Sequence, residues 1–552
     1  MISKTDKSGK NGKNGKIANT VGLMMIITLV GKIMGILRDR MQGVYFGTDT
    51  IESIAFTQAS LLPRVFLDIM FASVLSASFI PIFNRYLETK DKEAALRLAA
   101  SFVKIIFVIT AVISLLAVIF AEPIYMLFWV DQTADSSVSA ETISLGIMLL
   151  QIMFPIMLIS GLAFSFTGIL QSMGQFNIPA AMSVASNGVI LLYYWFFIDY
   201  FGVVGLAIAF LVGWSMQVFI QIPFLLKHGF FGYFAANKKD LTNLSNLSST
   251  DSSNKSALQE IGKLTLPVMV ASWLAPVNFL VNNRAAINLY GGGPAVVALN
   301  YANNLYAVIT GLFVLSLANV IFPELSKLAA HDNWQEYTAF LKNSLRWLIF
   351  FLIPMSFGLM AVARPLVILV YQDGLFQEES VRITATALFF FSVGILGFGL
   401  QAILSRACFA IKDGKSPLIM AVLAIIINFV LSFALVPTLE IGGPALASAV
   451  AVTVAAAGLL IRLQRRLSDK LLDTQIIFNA VKVLVLSIFM YFAVIFAIEF
   501  FESIFVDNAL NRVIILTVPA VIGLLIYIVG AFICKVPESK LAMRWIFDKF
   551  TT

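Results

Sequence analysis

Apolar runs of about twenty residues recur along this 552-residue chain, separated by short polar loops. A helix rises 1.5 Å per residue, so roughly 20 apolar residues cross the hydrocarbon core of a bilayer. On that measure spans fall near 18–38, 52–83, 101–121, 143–172, 179–199, 202–226 and 261–289. Further spans follow near 295–325, 343–363, 383–411, 417–437, 443–463, 476–500 and 512–534. The pattern therefore predicts an all-α polytopic membrane protein of about fourteen transmembrane helices. Strands are excluded as single spans because open backbone cannot face lipid with its polar groups unpaired. The longest polar break, 232–258, contains NKKDLTNLSNLSSTDSSNKSAL and reads as a flexible linker.

Composition agrees: 59% of residues are hydrophobic and 12% charged, with a mean hydropathy of +0.90. Soluble domains carry about 25% charged residues. The net charge of +7 is compatible with nucleic-acid binding, but the Lys and Arg residues gather in alternate loops. The first sixteen residues and the connection holding Arg85, Lys90, Lys92 and Arg97 are basic, whereas 122–142 and 438–442 carry no Lys or Arg. That asymmetry is topology, and it predicts an even number of spans with both termini cytoplasmic. Cys408 and Cys534 lie in or beside spans, and His228 and His331 lie in loops, so no disulfide framework, metal site or cofactor is expected.

The chain also repeats itself. SFIPIFNRYLETKDKEAAL (78–96) resembles VIFPELSKLAAHDNWQEYTAFL (320–341), VGLAIA (204–209) resembles PALASA (444–449), and Pro179 matches Pro417. All three matches fall at an offset of about 240 residues. They predict two six-helix lobes in one orientation, a parallel repeat of the kind transporters use to enclose a substrate. The expected domains are a basic cytoplasmic tail (1–17), an N-lobe (18–230), a cytoplasmic linker (231–259), a C-lobe (260–466) and two last helices with a tail (467–552).

Charges inside spans are costly, roughly 2.5–3.5 kcal/mol for a basic residue near mid-bilayer. The first span reads GKIMGILRDR (31–40): Lys32, Gly35 and Asp39 share a face, and Gly31 with Gly35 permits close approach of another helix. In the second span Arg64 stands four residues before Asp68. The match of FG (46–47) to YG (290–291) brings Arg284 to the depth of Arg40, beside Asn282 and Asn283. Asn300, Asn303 and Asn304 then mark one face of the next helix. Two readings fit these groups. Arg38 and Arg40 either snorkel to headgroups or face a cleft, and Arg64 with Asp68 is either a structural ion pair or part of the site. Convergence on matching helices of both halves supports a cleft for an anion. GKS (414–416) lacks the upstream glycine of a phosphate-binding loop, Phe409 standing there, so no ATPase is expected.

GILRDRMQGVYFGTD (35–49), SFIPIFNRY (78–86), GQFNIPA (174–180), AFLVGWSMQVFIQIPFLLKHG (209–229) and RACFAIKDGKSP (406–417) together resemble the MurJ/MviN lipid II flippase family, within the multidrug/oligosaccharidyl-lipid/polysaccharide exporter superfamily. The resemblance implies a transporter, not an enzyme, in the bacterial cytoplasmic membrane. It would move undecaprenyl-pyrophosphate-linked disaccharide-pentapeptide from the inner to the outer leaflet by alternating access, for peptidoglycan synthesis. It also implies that Lys32, Arg38 and Asp39 match the family's first-helix motif. Two departures stand out: LPRVFLD (62–68) replaces LPNLLRR, and YANN (301–304) replaces a YADR-like motif. Arg64 and Arg284 are the expected substitutes for the missing arginines. The expected substrate site is thus Lys32, Arg38, Asp39, Arg64, Arg284, Asn282 and Asn304, with Arg40 and Asp68 as a gate or ion pair. The outward state is open to bias by a coupling ion or the membrane potential, and the cell-wall synthesis machinery is a further partner open to it. The competing readings are an exporter of another polyprenyl-linked glycan (teichoic or capsular), a cation-coupled drug antiporter, and a scaffold for cell-wall enzymes.

Overall fold

The computed structural model describes residues 6–70, 79–89, 92–130, 138–236, 256, 258–261, 274–467 and 470–539. It divides into two compact units, Met1–Gln42 with Ile51–Pro276, and Gly43–Thr50 with Val277–Thr552. Among the described residues nine helical segments are long and apolar enough to cross a bilayer. A tenth is the pair Glu378–Val393 and Ile395–Ala410, bent by 45°. The expected spans 52–83 and 261–289 run through 71–78 and 262–273, which lie outside the described residues. So do 237–255 of the expected linker and 540–552 of the tail.

The first unit holds most of α1 (Asp6–Phe46), then α2 (Ile51–Met70), α3 (Ile80–Thr89), α4 (Lys92–Ile119), α5 (Ala121–Trp129), α6 (Ala140–Met153), α7 (Ile156–Ser172), α8 (Asn177–Phe196), α9 (Ile198–Phe219), α10 (Ile222–Lys227) and α11 (Phe230–Ala236). At one end an aromatic cluster joins α3, α4, α7 and α11: Phe79 stacks on Phe102 with centroids 4.4 Å apart, and Phe166 meets Phe230 edge-on. Ile261 packs into the same cluster. Arg85 clamps Glu260 there through two hydrogen bonds of 3.2 and 2.6 Å. Both flanks of the polar segment 237–255 are therefore docked on this unit. The Arg85 guanidinium also holds the Glu260 carboxyl below its usual range.

The second unit contains α12 (Leu274–Ala286) from Val277 onward, α13 (Pro294–Thr310), α14 (Ser316–Ala330), α15 (Trp334–Tyr371), α16 (Glu378–Val393), α17 (Ile395–Ala410), α18 (Lys415–Leu439), α19 (Gly442–Gln464), α20 (Thr474–Ile504) and α21 (Ala509–Ile533). Residues 43–50, remote in sequence, are clasped into it by backbone. Leu375 N donates to Val44 O at 2.9 Å, and the Thr48 and Ser380 hydroxyls lie 2.7 Å apart. Gly47 and Gly374 have φ of +62° and +55° at this crossing. A Cβ on Gly47 would sit 2.7 Å from Leu375 O, and one on Gly374 would collide with Val44 O. Side chains are impossible there without opening the clasp.

Helices α20 and α21 pack on α15 through Phe350, Met490, Val494 and Tyr527, and the Tyr527 hydroxyl donates to Phe350 O at 2.7 Å. Their other faces expose Phe489, Phe492, Phe496 and Leu524. Helices apolar on every side, with large hydrophobes turned outward, are solvated by lipid. At the start of α20, Asp473 accepts from Ile476 N and meets Lys342 at 2.5 Å and Arg346 at 3.5 Å. The Lys342 ammonium is the main cause of its lowered pKa.

The repeat leaves a backbone signature. Gly202 (φ 52°, ψ −145°) in α9 and Glu440 (φ 48°, ψ −126°) before α19 adopt the same rare conformation at matching places in the two halves. In the first half glycine adopts it without a side-chain penalty. In the second, Glu440 is held by the Tyr290 hydroxyl, which donates to its carboxylate at 2.5 Å.

Candidate functional site

Within the first unit α1 packs against α8. Gly31 lies so close to Ser183 that a Cβ there would stand 3.0 Å from Ser183 Cβ, and a Cβ on Gly35 would touch Asn187. The small-residue pair predicted for close approach thus meets the helix that carries Ser183 and Asn187. Asn187 uses the approach: its Nδ2 donates to Gly31 O and to Ser183 Oγ, both at 3.2 Å. Its Oδ1 accepts from Arg38 Nη1 at 3.1 Å. Arg38 also donates to Asp39 Oδ1 from Nε (3.1 Å) and Nη2 (2.7 Å), and its guanidinium lies 5.5 Å from the centre of the Phe210 ring. Asp39 is buried and Arg38 half-buried. An adjacent carboxylate, an amide and an aromatic face fix the guanidinium in one orientation where a free cation would be costly.

Arg38 and Asn187 stand on the wall of a cavity of about 460 Å³ within this unit. Its other walls come from α1 (Met24, Thr28), α7 (Phe164, Thr167, Gln171), α8 with Phe176 before it, and α9 (Trp214, Gln217). The remaining predicted groups of this unit are not among its lining residues. Lys32 is exposed, while Arg40 and Arg64 are half-buried. The Asp68 side chain lies outside the described residues.

The second unit contains a different arrangement at the related place. Asn282 is 2% exposed, donates to Ser448 Oγ at 2.6 Å, and accepts from Asn428 Nδ2 at 2.9 Å and Ser432 Oγ at 3.2 Å. Asn428 also reaches Asn278 O at 3.3 Å and accepts from Ser448 Oγ at 3.2 Å. This knot ties α12, α18 and α19 together with neutral groups. Arg284 and Asn304 are both half-buried. Asn187, Gln217 and Trp214 were not singled out in the sequence. The available signal was a set of amides, Gln171, Asn187, Gln217 and Gln221, inside otherwise apolar spans.

The family described as Lipid II flippase MurJ matches residues 43–516. The chain belongs to this family. Among relatives, a probable lipid II flippase MurJ of Buchnera aphidicola subsp. Schizaphis graminum is 27% identical over 92% of this chain and 95% of its own. That of Treponema pallidum is 27% identical over 74% of each. Among solved structures, the lipid II flippase MurJ in an inward closed conformation aligns with a TM-score of 0.73 and 23% identity, covering 93% of this chain and 98% of its own. An inward-facing MATE family multidrug transporter of the MOP superfamily aligns at a TM-score of 0.64 with 18% identity, over 80% of this chain and 97% of its own. Membership of this family supports a transporter role.

Proposed function

We propose that this chain is a lipid II flippase of the bacterial cytoplasmic membrane, with both termini on the cytoplasmic side. It carries the lipid-linked peptidoglycan precursor from the inner to the outer leaflet by alternating access. Arg38 is the central anion contact, meeting the pyrophosphate with Lys32, Arg64 and Arg284 as further cations. The observation that supports this reading is the Arg38 guanidinium, oriented by Asp39 and Asn187 on the wall of a cavity of about 460 Å³. Charge-assisted contacts between guanidinium and phosphate are strong in a water-poor site. Release then requires a state in which water or ions replace them, and a coupling ion or the membrane potential biases that state. Asn282, held in its knot, acts by fixing α12, the helix that carries Arg284.

Complementation of cells depleted of their lipid II flippase tests the assignment. The wild-type chain at normal expression restores growth, and Arg38→Ala does not. Failure of the wild type overturns lipid II as the cargo and turns the search to other polyprenyl-linked glycans. Rescue by Arg284→Ala removes that residue from the site while leaving the cargo intact.

A further inference from the structure

The cavity of the first unit is long and graded in chemistry. Helix α1 lines it from Met24 to Arg38, roughly 20 Å at 1.5 Å per residue. Gly31 faces Ser183 and Arg38 reaches Asn187, so α1 and α8 run in the same direction along it. Arg38, Asn187 and Ile190 therefore occupy one end, and Met24, Phe176 and Pro179 the other. From the Arg38 end, Phe210 comes first on α9, then Trp214, then Gln217. Past Arg38 the polar lining is neutral, made of amides and hydroxyls interleaved with aromatic rings.

Gln217 is the informative residue. It is 7% exposed and lines the cavity. Its backbone carbonyl accepts from Gln221, but among the described residues its side-chain amide makes no hydrogen bond. Its amide atoms are not enclosed by protein, so they stay open to the cavity, where a ligand can meet them. Gln221, one turn on, shows the paired alternative: its Nε2 donates to Ala163 O at 3.0 Å and to Gln217 O at 2.8 Å. Gln221 is built into the wall, and Gln217 lacks such a role.

We propose that this trough seats the uncharged sugar rings of the lipid-linked precursor, with Gln217 and Trp214 as their recognition groups and Arg38 meeting the pyrophosphate at the end. The inference rests on the flippase reading above and names the part of the cargo it leaves unassigned. A sugar ring offers hydroxyl and acetamido groups to an amide and an apolar face to an indole. The lining has that composition, and its volume falls in the usual range for small-ligand pockets, roughly 300–1,000 Å³. Sugars attached directly to a pyrophosphate must extend from the anion contact into whatever adjoins it, and here that is the neutral stretch.

Binding to the purified full chain in nanodiscs decides the matter with two probes. One is a short-chain polyprenyl pyrophosphate carrying an amino-sugar disaccharide; the other is the same lipid without sugar. The wild type is expected to prefer the first by at least about tenfold. Gln217→Leu and Trp214→Leu reduce that preference to under about threefold and leave affinity for the sugarless probe unchanged, with Gln217→Asn intermediate. Arg38→Ala weakens both probes together. Equal wild-type affinity for the two probes overturns the sugar seat while leaving the flippase reading in place. Folded Gln217→Leu and Trp214→Leu proteins that keep the full preference overturn it as well. If Gln217→Leu does not fold, Trp214→Leu alone decides. Binding of neither probe by the wild type removes the flippase reading, and this inference with it.

Discussion

Arg38 in the first unit and Asn282 in the second fall in register when the FG turn at 46–47 is matched to the YG turn at 290–291. Each belongs to the first helix of its half, and each is met by an asparagine from the fifth, Asn187 or Asn428. The shared skeleton carries opposite chemistry. In the first unit the contact fixes a cation on the wall of a cavity of about 460 Å³. In the second, Ser432 and Ser448 close the amides on one another with no charge in the group. One copy of the helix contact orients a cation on a cavity wall, and the other is internal bracing made of neutral groups. The same helix pairing thus carries a charge-assisted contact in one unit and a neutral amide network in the other.

Four measurements break or sharpen that comparison. The largest effect is expected from Arg38→Ala, with loss of growth rescue but a protein that still folds, since the packing of Gly31 on Ser183 does not depend on the guanidinium. Arg38→Lys should rescue only weakly, because an ammonium cannot reproduce the planar fork toward Asp39 and Asn187. Next comes Asn282→Asp, which places an unpaired charge in the neutral knot. Thermal unfolding in detergent should show a loss of about 3–5 kcal/mol, and an unaltered melting point would mean that the knot admits water or a cation. Asn428→Leu strips Asn282 of a donor and should destabilise by about 1–3 kcal/mol, while Asn187→Leu should impair transport more than stability. That split between the two asparagines is the sharpest form of the contrast.

The smallest effect lies outside both sites. Burial pushes the Asp413 carboxyl upward, but the Ser416 hydroxyl and backbone N–H, together with Arg466, more than offset it and leave its pKa below the usual value. Ser416 donates from Oγ at 2.7 Å and from N at 3.1 Å, and Arg466 lies at 3.2 Å. A carboxyl lowered on folding stabilises above its unfolded pKa of about 3.9 and loses that contribution as pH falls through the folded value. The advantage of the wild type over Asp413→Ala, about 1–2 kcal/mol by comparison with helix caps, should stay level from pH 7 to about 5. It should shrink only in more acidic buffer. A decline already at pH 6 would contradict the lowered value.

Much of the fold was legible in the residues. Spans such as 101–121 and 476–500 announce themselves because each must be apolar along its own length. Gly31 and Gly35 announced a close helix contact through size alone. Arg38 and Asp39 stood out as charges where charges are expensive. Asn187 did not, because one asparagine in an apolar span usually serves as interhelical glue, and only its distance to Arg38 gives it a part in the site. Gln217 was hidden for the same reason: what distinguishes it from Gln221 is which backbone carbonyls lie within reach. Asn282, expected to contact substrate, is instead enclosed by three partners from α18 and α19, a fact of helix rotation that no local pattern carries.

The sequence by itself determined the membrane habitat, the helical class, the repeat and the first-helix cation, because hydropathy, charge placement and duplication are properties of residues in a line. Only the tertiary structure decided which amides face a cavity, which seal one another, and that residues 43–50 are clasped by the loop before α16. Those outcomes depend on how each helix is rotated against neighbours more than a hundred residues away. A rotation of one residue, about 100° on a helix, turns a ligand contact into a brace.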